Sequence, residues 1–490
     1  MEAFSELKTP SFVFDATIIR RHLRALADAD VPVTVSDQRT RSYYLEGKEP
    51  MLWIDRWGVD SRADSLLSWL HGVGACGLSE RAFLVNDLER DLQALRTLHW
   101  QDADLNSLAA RLEYRLTKAC LRYCYGQRFG YMNPRRVFNH RDVEKEDTTH
   151  HQAVKYRQLF DLAMDQPAQN HHELVFRKIR HDSIAQYLDE IQPRSNYYQL
   201  LCQMLRGDSA ATLRPRLLAN LERSRWRLHQ PIPETGKRIL VNIPAFHLYA
   251  YGEDTLLHMR IACGAQATKT PLLSSAIEWM EVNPQWVIPM SIIKNDVVRH
   301  AGDSFYFARN RYEIYDKETR KTLDASQVSR SMLLSGRYRV AQRSGADNSL
   351  GQIVFRFKNN FSVYLHYTSS PGVFRRDVRA VSHGCVRVER PFPLANYVLD
   401  DPDEWLLDRI RISMDLGAKT ERGKAYLRAH QNDKEHHLIS YVPVKPSVPL
   451  FIIYYTLWPD HAGTLRSWPD VYGYDQTILE SLKPFIDRFP

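Results

Sequence analysis

From about residue 15 to 220 the apolar positions recur every three or four residues, the period of helices that bury one face. In DSRADSLLSWLHGVGACGL, Leu66, Leu67, Leu70 and Val73 keep that spacing, and Gly74 and Gly77 supply stops. Ser79 reads as the cap of a second helix with Phe83, Leu84, Leu88, Leu92 and Leu95 facing inward, and a third over about 104–125 carries Leu105, Leu108, Leu112 and Leu116. The polar stretch 141–170 reads as a surface excursion; His150-His151 lies within it and His171-His172 just beyond it. A helical hairpin over 183–188 and 197–204 and a helix over 211–226 lead into the proline-marked linker HQPIPETG.

At Lys237 the period changes. KRILVNIPAFHLYAYGEDTLLHMRIACG reads as two β-rich runs joined by Gly-Glu-Asp, with further strands expected at 276–282, 353–357 and 362–366. A polar and aromatic insert with few strand signals, about 287–350, interrupts them, and an insert of that length is often a lid. The pattern therefore predicts an α+β chain: a helical scaffold domain over 1–220, a mostly β domain over 221–400 carrying the insert, and a C-terminal segment, 401–490, packed on the β domain.

Composition narrows the function classes. Apolar residues at 44% and charged residues at 25% of 490 are globular values. Lys plus Arg number 66 against 58 Asp plus Glu, and the net +8 is spread in short clusters, with no stripe that would track a phosphate backbone. Nucleic acid is not expected as a partner. The longest apolar runs fall far short of the roughly 20 residues of a membrane span. Six cysteines without a Cys-x-x-Cys pair argue against a disulfide framework, and Cys120 and Cys124 read as neutral buried thiols on one helix face. The histidine pairs lack metal-ligand spacing, so neither a metal nor a cofactor is expected.

The densest chemistry lies in SVYLHYTSSPGVFRRDVRAVSHGCVRVERPFPLANYVL, 362–399. His366 ends a strand, and nineteen residues further on Cys385 follows Ser382-His383-Gly384. A thiol is mostly neutral at pH 7, so a nucleophilic cysteine needs an imidazole or a positive field, which His366, His383 and Arg387 can supply. Gly384 lets backbone approach an acyl group, and the amides around it can face an oxyanion. Most cysteines are inert core residues, but Ser-His-Gly-Cys is turn-forming and poor core sequence.

His366 followed by Ser382-His383-Gly384-Cys385-Val386-Arg387 resembles the signature of YkuD-type L,D-transpeptidases. ANLERSRWR (219–227), LVNIPAFHLYAY (240–251), VNPQWVIP (282–289), LGQIVFRFKN (350–359) and the closing VPLFIIYYTLWPD resemble blocks of the large multidomain branch. The resemblance implies a helical scaffold domain and a YkuD-like catalytic domain with a substrate-capping insert. The branch usually carries a peptidoglycan-binding domain as well, for which this chain leaves no room before ANLERSRWR.

By resemblance Cys385 is the nucleophile that forms a thioester, His366 the general base, and the Tyr367 carbonyl the group that orients its ring. His383 and Gly384 then line the oxyanion site with the Cys385 amide. Tyr364, Arg387, Ser382 and Trp286 fall to substrate binding or to shaping the pocket, with Ser382 more structural than the others. Phe305, Tyr306, Phe307, Tyr312 and Tyr315 either pack the insert or exclude water.

The implied reaction is 3→3 cross-linking of peptidoglycan stem peptides by ping-pong acyl transfer, with carbapenem-type β-lactams as inhibitors. L,D-carboxypeptidase activity, or linkage of a protein or other amine, is the alternative within the same chemistry. A silent wall-binding scaffold is the non-enzymatic one. The substrate implies the periplasm or cell envelope, and a native signal segment that this chain does not show.

Overall fold

The computed structural model describes residues 13–47, 50–99, 104–143, 155–207, 210–433 and 436–487. Two units are present: 1–137, 163–231 and 473–490 form one, and 138–162 with 232–472 form the other. As the periodicities predict, the chain is α+β, with a helical N-terminal region and a strand-rich region after it.

The helical unit is organised around Leu105–Phe129, whose first turn Asp104 caps by accepting from the amides of Asn106 and Ser107. This helix runs four residues past its expected end. It is buried on most faces because Ala16–Ala29, Val35–Glu46 and Val85–Thr97 all pack on it. Its buried Glu113 accepts from the amides of Leu52, Trp53 and Ile54 and from the Tyr44 hydroxyl, so the carboxyl is fully partnered.

Helix Ala210–Arg225 belongs to the same unit. Tyr474–Leu482 packs against it, and Arg223 meets Asp475 at 2.6 Å in a nearly water-free contact. Tyr474, Ile478 and Leu482 are fully buried there. The structure thus divides the closing segment expected over 401–490: residues from 473 onward belong with the helices.

The strand-rich unit closes on itself. In order around the ring run Ile353–Phe357, Leu365–His366, Val386–Val388, Leu256–Gly264, His247–Tyr251, Arg238–Asn242, Tyr441–Ile453 and Leu272–Val282, which pairs back to Ile353–Phe357. These strands alternate or run apolar over a shared interior, with Ile239, Val241, Leu248, Ile261, Ile277, Phe355 and Leu450 fully buried. The run Lys237 to Tyr251 is itself a hairpin, because Ile243-Pro-Ala-Phe turns with Phe246 at φ 52. No glycine or asparagine marks that turn, which hid it in the sequence.

Two expectations change. The excursion at 141–170 contributes Phe160–Asp161, paired to Leu272–Leu273, with Leu159 and Phe160 buried, so part of it is core; His150 and His151 lie outside the described residues. The insert holds a four-stranded antiparallel sheet, ordered Thr322–Leu323, Tyr312–Asp316, Tyr338–Gln342, Trp286–Val287. It has its own core of Ile288, Ile293, Val297, Phe307, Ile314 and Val340, on which Tyr306 and Tyr312 pack, while Phe305 stays exposed.

Candidate active site

Strand register places the histidine and the cysteine. Leu365–His366 runs parallel to Val386–Val388, with Leu365 opposite Val386 and His366 opposite Arg387. The Val386 amide donates to the Tyr364 carbonyl, so Cys385 emerges from the ring beside Tyr364, one step from the histidine row. Tyr364, His366, Cys385 and Arg387 line one cavity of about 160 Å³, together with Ser382 and His383 from the motif and Trp286, Pro289 and Ile292 from the insert.

A hydrogen-bonded clasp fixes the turn before Cys385. The Ser382 hydroxyl donates to the Cys385 carbonyl at 2.6 Å and accepts from the Gly384 amide at 3.1 Å. The Thr268 hydroxyl donates to the Ser382 carbonyl, and the Thr270 hydroxyl donates to the Gly384 carbonyl while accepting from the Gly264 amide. Gly384 sits at φ 121, a conformation L side chains rarely adopt. At Gly264 a Cβ would lie 2.0 Å from the Thr268 carbonyl, so only glycine lets the two loops approach. Tyr472 backs the clasp by donating to the Gly264 carbonyl and accepting from the Thr270 amide.

His366 is 4% exposed, and its Nδ1 faces the Leu350 carbonyl at 3.3 Å. Burial and then the charge of Arg387 hold its ring down to about 3, although the carbonyls of Leu350 and Tyr367 favour protonation. The imidazole is therefore neutral at pH 7. With Nδ1–H directed at Leu350, the lone pair of Nε2 is left to accept a proton.

Cys385 is half-buried, its Sγ 4.0 Å from the Ser362 carbonyl. Burial pushes the thiol up to about 11, and hydrogen bonds from Tyr364 with the charges of Arg356 and Arg387 offset only part of that. The resting pair is a neutral thiol and a neutral imidazole. The Tyr364 ring meets the His366 ring edge-on at 5.7 Å and carries the Arg356 guanidinium 4.4 Å over its face; burial lifts its hydroxyl well above the usual range. Arg356 in turn donates to Glu281 at 2.8 Å. Arg387, whose Nε is buried without a hydrogen-bond partner among the described residues, also borders a second cavity of about 340 Å³ with Ser370, Gly372 and Arg376.

The structure refines the expected roles. The Gly384 amide is committed to Ser382, so the residue shapes the turn through its φ and does not point its N–H at an oxyanion. Ser382 lines the cavity, yet both its hydroxyl bonds go to backbone of the motif. The Leu350 carbonyl lies 3.3 Å from His366 Nδ1 and the Tyr367 carbonyl also acts on that ring, while the Tyr367 side chain packs with Val373 and Phe374. His383 is exposed, its Nε2 3.8 Å from Asp296 of the insert. Thr268, Thr270, Leu350 and Tyr472 were missed because they lie outside the motif and act on it through one or two backbone bonds apiece. Among the described residues no His, Cys, Asp and Glu group is arranged to hold a metal, and no helix is long and apolar enough to cross a membrane.

Residues 38–205 match the Scaffold domain family. A Haemophilus influenzae protein named "Putative L,D-transpeptidase" is 31% identical over 249 residues, which cover 50% of this chain and 46% of that protein. The chain therefore spans about half the length of the curated relative it matches. Residues 236–412, which hold every residue of the cavity, match the L,D-transpeptidase catalytic domain family, and so the chain carries a YkuD-type L,D-transpeptidase catalytic domain.

Proposed function

We propose that the protein is a cysteine L,D-transpeptidase that cross-links peptidoglycan stem peptides through a thioester. The observation that carries this reading is the meeting of Cys385, His366 and an incompletely partnered Arg387 in one cavity of the matched domain. As a donor carbonyl seats against the thiol, His366 Nε2 takes the Sγ proton while sulfur attacks the carbonyl carbon of the third stem residue. The Cys385 amide faces the developing oxyanion. Collapse breaks the bond to the fourth residue, whose amine leaves with the proton held by His366, and the thioester remains. An acceptor amine then attacks the thioester, and Cys385 recovers its proton.

Arg387 is suited to a stem carboxylate. Trp286, Pro289 and Ile292 narrow the cavity from the insert, which favours an amine over water as acceptor and so transfer over hydrolysis. Such a substrate would place the chain in the periplasm or cell envelope.

Incubation with a carbapenem and with tetrapeptide stems tests the reading by intact mass and product analysis. The expected result is one covalent adduct, on Cys385, and 3→3 dimers of the stems, both lost in Cys385→Ala, with a rate drop of about 10⁴ or more. Shortened monomers without dimers would move the assignment to a carboxypeptidase. Neither adduct nor product would overturn the enzyme.

A further inference from the structure

The helical unit holds a second pair of chemistry-bearing side chains that acyl transfer does not use. Cys76 ends the turn Val73–Cys76, and Cys202 lies on helix Asn196–Arg206; 126 residues apart in sequence, their sulfurs stand 3.6 Å apart as free thiols. We propose that Cys76 and Cys202 are a thiol oxidation site that closes to a disulfide by exchange with a disulfide oxidant, such as glutathione disulfide or an oxidised thiol oxidase.

The two sulfurs are unequal in the way exchange requires. Cys76 is half-exposed and Cys202 is 5% exposed, so an oxidant reaches Cys76 first. The hydrogen bond from Cys202 holds the Cys76 thiol below its usual range, with Arg225 and then Arg206 adding positive charge against the cost of burial. Arg225 is itself fully buried, with Nη2 3.4 Å from the Cys76 carbonyl and 3.2 Å from the Tyr198 hydroxyl. It sits in the ANLERSRWR block, so that motif carries a fixed cation into the thiol pocket.

The exchange balances in two steps. The Cys76 thiolate attacks one sulfur of the oxidant, the oxidant's S–S bond breaks, and one thiolate leaves with the bonding pair. Cys202 gives its proton to that thiolate and attacks the Cys76 sulfur, expelling the second thiolate, which solvent protonates. Two cysteines lose two electrons and the oxidant becomes two thiols.

The remaining described cysteines lack this arrangement. Cys120 and Cys124 are 3.9 Å apart, but both are fully buried on successive turns of one helix, so a bond there would be out of an oxidant's reach and would join the helix to itself. Cys263 is fully buried beside Tyr472. Only the first pair ties one element to another.

The test uses the full chain carrying Cys385→Ala, so that thiol does not compete. After glutathione disulfide at neutral pH, peptide mapping without reductant should show the Cys76 and Cys202 peptides joined, with two fewer alkylatable thiols. The midpoint of the helical unit's melting should rise by roughly 5–10 °C. Cys202→Ser should arrest as a stable glutathione adduct on Cys76, Cys76→Ser should give neither adduct nor link, and Cys120→Ser should behave as the parent, each checked for parental circular dichroism. Retention of both thiols by the folded parent under oxidant, or a link that forms only in denaturant, would overturn the proposal irrespective of any substituted chain.

Discussion

The two half-exposed cysteines among the described residues, Cys76 and Cys385, each sit near arginines, yet their thiols move in opposite directions. At Cys76 the largest influence is a hydrogen bond from a second thiol, which outweighs burial and is joined by Arg225. At Cys385 burial is largest, and Tyr364, Arg356 and Arg387 recover only part of it. A guanidinium in the neighbourhood therefore does not by itself make a thiolate; the balance of desolvation against direct donors does. The consequences for reactivity differ too. Intrinsic nucleophilicity of sulfur falls with its pKa, so a raised thiol with a neutral base beside it is a stronger attacker once deprotonated, and its proton leaves only as the bond forms.

Removing the base is the sharpest way to break that contrast. His366→Ala should slow acylation by a carbapenem about 10²–10⁴-fold at pH 7 while leaving the fold intact. The lost rate should return as pH climbs toward the Cys385 value of about 11, because hydroxide then does what the imidazole did. A His366→Ala rate equal to the parent's at neutral pH would mean that Cys385 rests as a thiolate, as the field beside Cys76 favours.

The same imidazole gives a signed stability effect. Its folded value of about 3 lies below the roughly 6.5 of a free histidine, so between those limits the unfolded chain binds the extra proton. Unfolding free energy must then rise with pH across that window. The stabilisation is complete above about pH 6.5 and is lost as pH falls toward 3. Denaturant titrations at about pH 4.5 and 7.5 should show the loss in the strand-rich unit, and His366→Gln should flatten it. An unchanged slope in that variant would locate the acid sensitivity elsewhere.

How much of this was legible in the sequence depends on the range of the interactions. Helices over Leu105, Leu108, Leu112 and Leu116 and the strand at 353–357 follow from local period, and the structure has both. The turn at Ile243 to Phe246 was not legible, since apolar residues make it and packing holds Phe246 at φ 52. The sheet in the insert was masked because its strands are only two to five residues long, too short for their alternation to stand out from the polar stretches between them. His366 and Cys385 were legible through their motif. The Thr268, Thr270 and Tyr472 clasp was not, because it is built of a few backbone bonds between segments more than 80 residues apart.

The clasp itself can be loosened without touching sulfur or base. At Gly384 an added Cβ meets nothing closer than 3.7 Å, so Gly384→Ala is strained through its φ of 121 alone. That strain costs about 1–3 kcal/mol. Acylation should fall about 10–100-fold while iodoacetamide still reaches Cys385 at close to the parental rate. Equal losses in both reactions would mean that the turn supports the thiol and not the acyl geometry.

The smallest effect is expected where charge alone is changed. Asp296 of the insert approaches His383 at 3.8 Å, both side chains more than half exposed, and exposed pairs of this kind contribute about 0–1 kcal/mol. If Cys385 were activated by a positive field, then Asp296→Asn would remove a nearby anion and speed acylation about tenfold. With a base-driven thiol the substitution only slackens one contact between insert and motif. Acylation should then change by about twofold, and the difference should vanish at high salt, where the Debye length falls to about 3 Å. A salt-resistant tenfold gain would erase the distinction between the two cysteines, because it would show that local charge, and not His366, sets the reactivity of Cys385.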